Sequence, residues 1–387
     1  MIGLMRNRPN QPENSITAVD GSTLSIVEFD DQGLCYQRGQ MDALSAQLTR
    51  LKGQGPLIMV FAHGWKHDGR SDDGNLLSFR AILKNTAMLA DDRPVLGIFV
   101  AWRGLTWYGW GIENATFWGR QEAAMRVAVG SPRELLGRLR EFREREIKEQ
   151  RLEPILVIIG HSFGGLLIYS AVAQSLIESA ATQEGYIVPS FANLVLVINA
   201  AFAAARYLPI QDQVERRLFA SDQPPVFLAV TAENDWATGL AFPIGEFLPT
   251  LSESTRTWRE RAAILSTIGH MAAITTHTLA APGKPRARAQ TQGPSPLEPS
   301  LSRDDAVPRK ETTGTQHFRG GAVLQPTDKY RANNPYWIVS ARREVIDQHN
   351  VIFGQVFCDF VHALVITHLQ DAAVRDHRRQ AKRAAPI

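Results

Sequence analysis

Six short apolar runs, none of which alternates with polar residues, most constrain what this chain can fold into. A strand with one solvent-exposed face alternates apolar and polar residues, whereas a strand covered on both faces does not. Stretches with helical periodicity separate the runs. This alternation predicts an α/β fold with a doubly wound, mostly parallel sheet and helices on both faces. The runs are 58–62, 95–101, 155–159, 194–198, 226–230 and 336–339.

The length of 387 residues, with 44% apolar residues, is enough for one large α/β domain with a sizeable core. We expect an N-terminal extension at 1–22, the α/β domain at 23–370 and a basic C-terminal tail at 371–387. Within the domain, residues 281–323 are rich in Pro, Gly, Ser, Thr, Gln and Arg and have no apolar period. Such a composition predicts a flexible insertion before the last strand.

The formal net charge of +3 is concentrated in two segments. Residues 282–320 carry seven Lys/Arg against four Asp/Glu, and residues 371–387 carry five against two. Nucleic-acid binding needs a basic stripe on a folded face, so no nucleic-acid partner is expected. The basic tail gives some support for contact with a membrane surface.

Neither a secretory signal nor a membrane span is predicted. The first residues lack an apolar run of signal-peptide length, and the most apolar window, 154–177, is interrupted by glycines. A cytoplasmic location is therefore expected. The two cysteines, Cys35 and Cys358, indicate free thiols rather than a disulfide scaffold.

The most informative motif is Gly160-His161-Ser162-Phe163-Gly164, a G-x-S-x-G pattern. It follows the 155–159 run directly and precedes a helical stretch that begins with small residues. A nucleophile in this setting lies on a strained strand-to-helix turn, and small residues on both sides let the backbone cross closely. The pattern predicts Ser162 as a nucleophile. The alternative is an inert serine in a glycine-rich connection.

With this motif in this context, residues 55–370, apart from 281–323, resemble the α/β-hydrolase superfamily, which includes many esterases, lipases and thioesterases. The resemblance implies an oxyanion hole formed by backbone N–H groups. One comes from Trp65, after the pair His63-Gly64, and the other from Phe163. His63 itself is expected to be structural. The resemblance implies neither a metal nor an organic cofactor.

The resemblance also implies the chain order Ser, then Asp or Glu, then His. Asp235 follows the 226–230 run and is the preferred acid. Glu233 is its nearest competitor, and a helix cap is the alternative role for Asp235.

His349 follows the 336–339 run and is the preferred base, because the family places this histidine after the last strand. Two other histidines precede that strand, one lies in the predicted insertion, and two lie in the final predicted helix. These are His270, His277, His317, His362 and His368.

Two apolar segments adjoin the predicted site. The aromatic-rich stretch 102–118 predicts a packed connection or a lid, and 238–251 predicts an apolar cap. A cap of this kind favours a hydrophobic acyl or lipid substrate.

The expected activity is hydrolysis of a carboxylic ester or thioester, possibly lipase-like, on a small-molecule substrate. Two alternatives stay open: an acyltransferase with the same triad, and a non-catalytic hydrolase-fold binding module.

Overall fold

The computed structural model describes residues 9–65, 67–102, 117–182, 185–241, 254–282 and 308–384. Within these ranges the chain forms an α/β protein with one mixed, mostly parallel sheet of twelve strands. The strands are β1 (Ile16–Val19), β2 (Ser22–Phe29), β3 (Leu57–Ala62), β4 (Val95–Trp102), β5 (Ile155–His161), β6 (Leu194–Ile198), β7 (Phe227–Ala232), β8 (His277–Ala280), β9 (Arg309–Lys310), β10 (Gln316–His317), β11 (Val323–Pro326) and β12 (Tyr336–Ala341).

Helices connect most of the parallel strands. They are α1 (Arg38–Arg50), α2 (Gly74–Leu89), α3 (Phe117–Ala128), α4 (Ser131–Lys148), α5 (Phe163–Ala180), α6 (Leu208–Arg216), α7 (Trp258–Leu265) and α8 (Gln355–Ala384). None of the described helices is both long enough and apolar enough to cross a membrane.

The strand order is β1-β2-β4-β3-β5-β6-β7-β12-β8-β11-β10-β9. The strands from β2 to β8 in this order are parallel, and the edge strands pair antiparallel. From β3 the chain crosses to β4 on one side and then returns to β5 on the other. This reversal leaves a crevice at the carboxyl ends of β3 and β5, the position where open α/β sheets bind ligands.

The central strands of the sheet are buried on both faces. Helices α2 and α8 pack on one face, through side chains such as Phe79 and Phe360. Helices α1 and α3 to α7 pack on the other, through side chains such as Leu44 and Leu167. This double coverage explains why the central strands carry unbroken apolar runs, and all six predicted strands are confirmed within two residues of the expected bounds.

Part of the predicted N-terminal extension, 1–22, instead belongs to the sheet. Strands β1 and β2 form a hairpin across Asp20-Gly21, and both of these residues have positive φ. Two consecutive residues with positive φ give a turn whose twist matches that of the flanking strands. The hairpin therefore begins before the predicted domain boundary.

The predicted flexible insertion, 281–323, is wrong for its C-terminal part. Residues 308–323 form β9, β10 and the first residue of β11, which pair antiparallel at the sheet edge. Phe318 anchors this hairpin because its buried ring lies 4.9 Å, between centroids, from that of Phe360. Residues 283–307 lie outside the described part of the chain.

The predicted C-terminal tail, 371–387, is also wrong over most of its length, since α8 continues through it to Ala384. Glu153, whose carboxylate is buried just before β5, stabilises this part of the helix. It accepts hydrogen bonds from Arg375 Nε at 3.0 Å and from Arg379 Nη2 at 3.3 Å. A buried carboxylate needs such partners, so these basic residues stabilise the structure instead of projecting into solvent.

Both cysteines are free thiols, as expected; Cys358 is buried and Cys35 is partly exposed.

Backbone segments approach one another very closely at the turn between β5 and α5. A Cβ added to Gly164 would lie 2.1 Å from the carbonyl oxygen of Ala62 in β3, and one added to Gly160 would lie 2.6 Å from that of Gly164. Real Cβ atoms do not approach backbone oxygens so closely. Only glycine therefore lets α5 start directly above β3.

We expect Gly164→Ala to lower the free energy of unfolding by about 1–3 kcal/mol or more, because backbone atoms of β3 or α5 would have to move. Gly137→Ala is the matched control, since Gly137 lies in α4 with nothing within 4 Å of the added Cβ. The control should be neutral or stabilising by up to about 1 kcal/mol. Urea unfolding of both variants measures this, and equal stabilities would contradict the packing described for the turn.

Candidate active site

Ser162 occupies the single position between β5 and α5. Its backbone angles are φ 54° and ψ −118°, a region that residues other than glycine rarely adopt. Three backbone hydrogen bonds hold it there. Its N–H donates to the carbonyl of Ile198 at 2.9 Å, and its carbonyl accepts from Leu166 and Ala201 at 3.1 and 3.2 Å. The strained serine at a strand-to-helix turn matches the geometry that the sequence motif predicts.

The structure brings the three predicted side chains into one hydrogen-bonded row. His349 Nε2 lies 2.8 Å from Ser162 Oγ, and His349 Nδ1 lies 2.9 Å from Asp235 Oδ2. A carboxylate can only accept, so Nδ1 carries the proton and Nε2 accepts the proton of the serine hydroxyl. The row is nearly closed to solvent, with the Asp235 side chain fully buried and that of His349 15% exposed.

The Asp235 carboxylate accepts hydrogen bonds at both oxygens. Oδ1 accepts from the N–H groups of Ala237 at 3.0 Å and Thr238 at 3.3 Å, while Oδ2 accepts from the Thr238 hydroxyl at 2.5 Å as well as from His349. Burial alone would raise the pKa of Asp235, but the bonds and charge of His349 and the bonds from Thr238 outweigh it. Its pKa is therefore lower than usual, and the group is ionised at neutral pH.

Asp235 also has the capping role that the sequence offered as an alternative, because the same carboxylate accepts from the N–H groups of the short π-helical turn Ala237–Ala241. The two roles coexist because they use different oxygens. Glu233, the competing acid, points elsewhere and accepts a hydrogen bond from Arg342 Nη1 at 2.8 Å on the surface.

The loop that carries His349 is fixed by groups that sequence reasoning missed. The backbone carbonyl of His349 accepts from His161 Nε2 at 2.9 Å and from Asn199 Nδ2 at 2.8 Å. Asn199 lies just past β6 and has a positive φ of 47°. His161 is buried, which together with the charge of His349 lowers its pKa to about 3, so the ring is neutral. Both residues hold the backbone from which the His349 imidazole reaches Ser162.

Asn234 provides a second attachment for the same loop. Its side-chain oxygen accepts from the N–H of Gln348 at 3.2 Å, and its amide donates to Asp347 at 2.9 Å. Gln348 has a φ of 72°, an unfavourable conformation for a residue with a side chain. The neighbours of Asp235 and His349 are thus tied together, which fixes the distance between the acid and the imidazole.

The loop after β3 approaches the serine from the side of the crevice. A Cβ on Gly64 would lie 2.9 Å from the Cβ of Ser162, so the backbone that leads to Trp65 passes against the serine. Phe163 is the first residue of α5, where helix N–H groups point away from the helix body. The two predicted oxyanion donors are therefore in segments that adjoin Ser162.

His63 shapes this loop, in agreement with its expected structural role. Its Nδ1 donates to the Gly64 carbonyl at 2.9 Å, and its Nε2 accepts from the N–H of Trp102 at 3.1 Å. Burial lowers the pKa of His63 to about 4, so the neutral ring serves as both donor and acceptor.

The remaining candidate histidines lie away from the hydrogen-bonded row, except His270, which reaches it through Thr238. His277 is packed between Tyr330 and Trp337, His317 pairs with Glu311 on the surface, His362 contacts Thr86, and His368 is buried in α8.

Residues 67–74 form a local cap, with Asp73 accepting from His67 and from the first N–H groups of α2. Among the described residues there is no group of three or more His, Cys, Asp or Glu side chains placed to hold a metal ion. The predicted lid or cap segments lie largely outside the described residues, at 103–116 and 242–253.

No protein-family model matches this chain, and no curated protein or solved structure matches it either.

We expect Asp235→Asn to lower the free energy of unfolding at pH 7 by about 1–3 kcal/mol, since hydrogen bonds to a buried charged group are lost. The lowered pKa means that the stabilisation is complete above the ordinary pKa of 3.8 and is lost as the pH falls through the folded-state value. The difference between wild type and variant should therefore shrink on acidification.

Urea unfolding at pH 7 and at pH 3 measures this difference. Glu233→Gln is the matched control, because its exposed ion pair with Arg342 contributes little. A difference for Asp235→Asn that stays constant with pH would contradict the assignment of a stabilised carboxylate.

Proposed function

We propose that this protein is a serine hydrolase of the α/β-hydrolase type that cleaves a carboxylic ester or thioester through an acyl-enzyme. The observation that carries the proposal is the continuous row of hydrogen bonds from Ser162 through His349 to Asp235. A largely buried imidazole between an ionised carboxylate and a hydroxyl is the arrangement that activates a serine for nucleophilic attack.

The topology supports the family part of the proposal. Ser162 follows β5, Asp235 follows β7 and His349 follows β12, and these three strands, with β6, are consecutive neighbours in the sheet. This chain order, Ser then Asp then His, is the order of the α/β-hydrolases, as is the nucleophile on a strained turn before a helix.

In the first half of the reaction, Ser162 Oγ bonds to the substrate carbonyl carbon while its proton passes to His349 Nε2. The N–H groups of Trp65 and Phe163 stabilise the oxyanion that forms. The imidazolium then gives the same proton to the leaving alcohol or thiol, and the acyl group stays on Ser162. In the second half water attacks the acyl-enzyme, with His349 again as base and then as acid.

Asp235 stays ionised throughout and orients the imidazole. Its lowered pKa supports this role, because a protonated carboxyl could not stabilise the imidazolium.

Exposed apolar side chains next in sequence to the acid and the base support a substrate with an apolar part. Trp236, next to the acid, is 64% exposed, and Val351, two residues after His349, is 39% exposed. Exposed apolar side chains close in sequence to catalytic groups favour a partner with an alkyl or acyl group. Lipid-like esters are therefore included among the proposed substrates.

The test is hydrolysis of nitrophenyl esters with short and long acyl chains. Ser162→Ala and His349→Ala should each lower kcat by about a million-fold, and the double variant should lose no more than either single variant. Asp235→Asn should lose about 10,000-fold, because it leaves the imidazole in the wrong tautomer.

His317→Ala is the matched control, a histidine outside the site, and should keep the wild-type rate. An initial burst of nitrophenol would report the acyl-enzyme. A wild-type protein that hydrolyses no ester, or activity that survives Ser162→Ala, would contradict the proposal.

A further inference from the structure

The Asp235 oxygen that bonds His349, Oδ2, is also in contact with a second polar pair. Thr238 is buried, and its hydroxyl lies 2.5 Å from Asp235 Oδ2 and 3.1 Å from His270 Nε2. The row of hydrogen bonds that begins at Ser162 therefore continues beyond Asp235 through Thr238 to His270. Neither Thr238 nor His270 has a part in the proton transfers described above.

The direction of each bond in this extension follows from proton counting. An ionised carboxylate only accepts, so the single hydroxyl proton of Thr238 points at Asp235 Oδ2. The hydroxyl oxygen can then only accept from His270, which requires a proton on Nε2. Burial lowers the pKa of His270. The charge of Asp235 and a hydrogen bond to the Asp235 backbone raise it, but burial has the larger effect, so the ring is neutral at pH 7. Its one proton is therefore on Nε2.

The segment that carries His270 is rigidly placed. A Cβ on Gly269 would overlap the side chain of Thr231 in β7, and one on Gly239 would lie 3.2 Å from the His270 ring. The Thr267 hydroxyl also donates to the Thr238 carbonyl at 3.2 Å. The turn after Asp235 is thus packed against residues 267–270.

We propose that Thr238 and His270 are positioning residues for Asp235. Thr238 holds the carboxylate in the rotamer that reaches His349, and His270 fixes the direction of the Thr238 hydroxyl. The role of this pair in turnover rests on the proposed function, whereas its hydrogen bonding does not.

Without the hydroxyl, Oδ2 keeps only the bond from His349, while Oδ1 keeps its bonds from the N–H groups of Ala237 and Thr238. The carboxylate loses one of its four hydrogen bonds, and its rotation about the last torsion is less restricted. The imidazolium that forms during attack on the substrate would then be less well stabilised. Because neither residue touches the substrate, the loss should appear in kcat and not in KM.

Thr238→Val, which removes the hydroxyl at nearly constant shape, should lower kcat about tenfold with KM unchanged, equivalent to about 1.4 kcal/mol in the barrier. Thr238→Ser should restore the wild-type kcat. His270→Leu should lower kcat by a smaller factor, and His270→Gln should restore it because an amide can donate to Thr238. The double variant with Thr238→Val should be no slower than Thr238→Val alone, since His270 acts through Thr238.

The matched control is Thr86→Val. Thr86 is equally buried and its hydroxyl also lies against a histidine, His362 at 3.2 Å, but on the α2–α8 face of the sheet. The control should lose stability and keep kcat. A wild-type kcat in Thr238→Val, a comparable loss in Thr86→Val, or no rescue by serine would overturn the proposal.

A second measurement does not depend on turnover. Nitrogen NMR of protein labelled at histidine should show His270 protonated at Nε2, and Thr238→Val should shift the His349 Nδ1–H resonance. If the wild type hydrolyses no ester, the proposed function is wrong. The NMR results still decide, independently of activity, whether Thr238 and His270 position Asp235. An unprotonated His270 Nε2, or an unchanged His349 resonance, would overturn the positioning role.

Discussion

The turn at Ser162 is the constraint on which the rest of the site depends. A positive φ at a serine costs about 1–3 kcal/mol, and this conformation persists because several surrounding contacts hold the backbone in it. Ile198, Ala201 and Leu166 bond both backbone groups of the serine. Glycines on both sides of the turn let β3, β5 and α5 meet at distances that any side chain would prevent. The strain therefore places Oγ at the crevice where the strand order reverses.

The loops that carry His349 and Asp235, the other two members of the row, are hydrogen-bonded to each other and to the ends of neighbouring strands. His349 lies on a loop whose backbone is bonded by His161 at the end of β5 and by Asn199 after β6. Asn234, after β7 and directly before Asp235, is hydrogen-bonded to Asp347 and Gln348 of the same loop. Because β5, β6, β7 and β12 are consecutive neighbours, their carboxyl ends deliver all these groups to one edge of the sheet. The parallel topology thus brings together residues distant in sequence.

Patterns that act locally were readable from the sequence, and those that depend on distant partners were not. The six buried strands and the serine turn follow from apolar runs and glycine spacing, and Asp20-Gly21 is a recognisable turn signal for the hairpin of β1 and β2. By contrast, the helical end of α8 depends on the buried Glu153, more than two hundred residues away. Asn199 showed only as a polar residue after a strand, and the partnership of Thr238 with His270 had no local signal. His349 was predicted as the partner of Ser162 from the chain order of the triad in the family that the sequence resembles. No local pattern marks it, because its contact with Ser162 is a tertiary one.

The most direct test of an activated Ser162 is covalent labelling of the folded protein with a fluorophosphonate probe. Such a probe reacts with a serine whose proton can pass to a neighbouring base, and an ordinary buried hydroxyl does not react. Labelling is predicted for the wild type and for Ser340→Ala, a control serine on strand β12, with loss of labelling in Ser162→Ala and a large decrease in His349→Ala. No labelling of the folded wild type, or labelling that survives Ser162→Ala, would contradict the hydrogen-bonded row as a catalytic device.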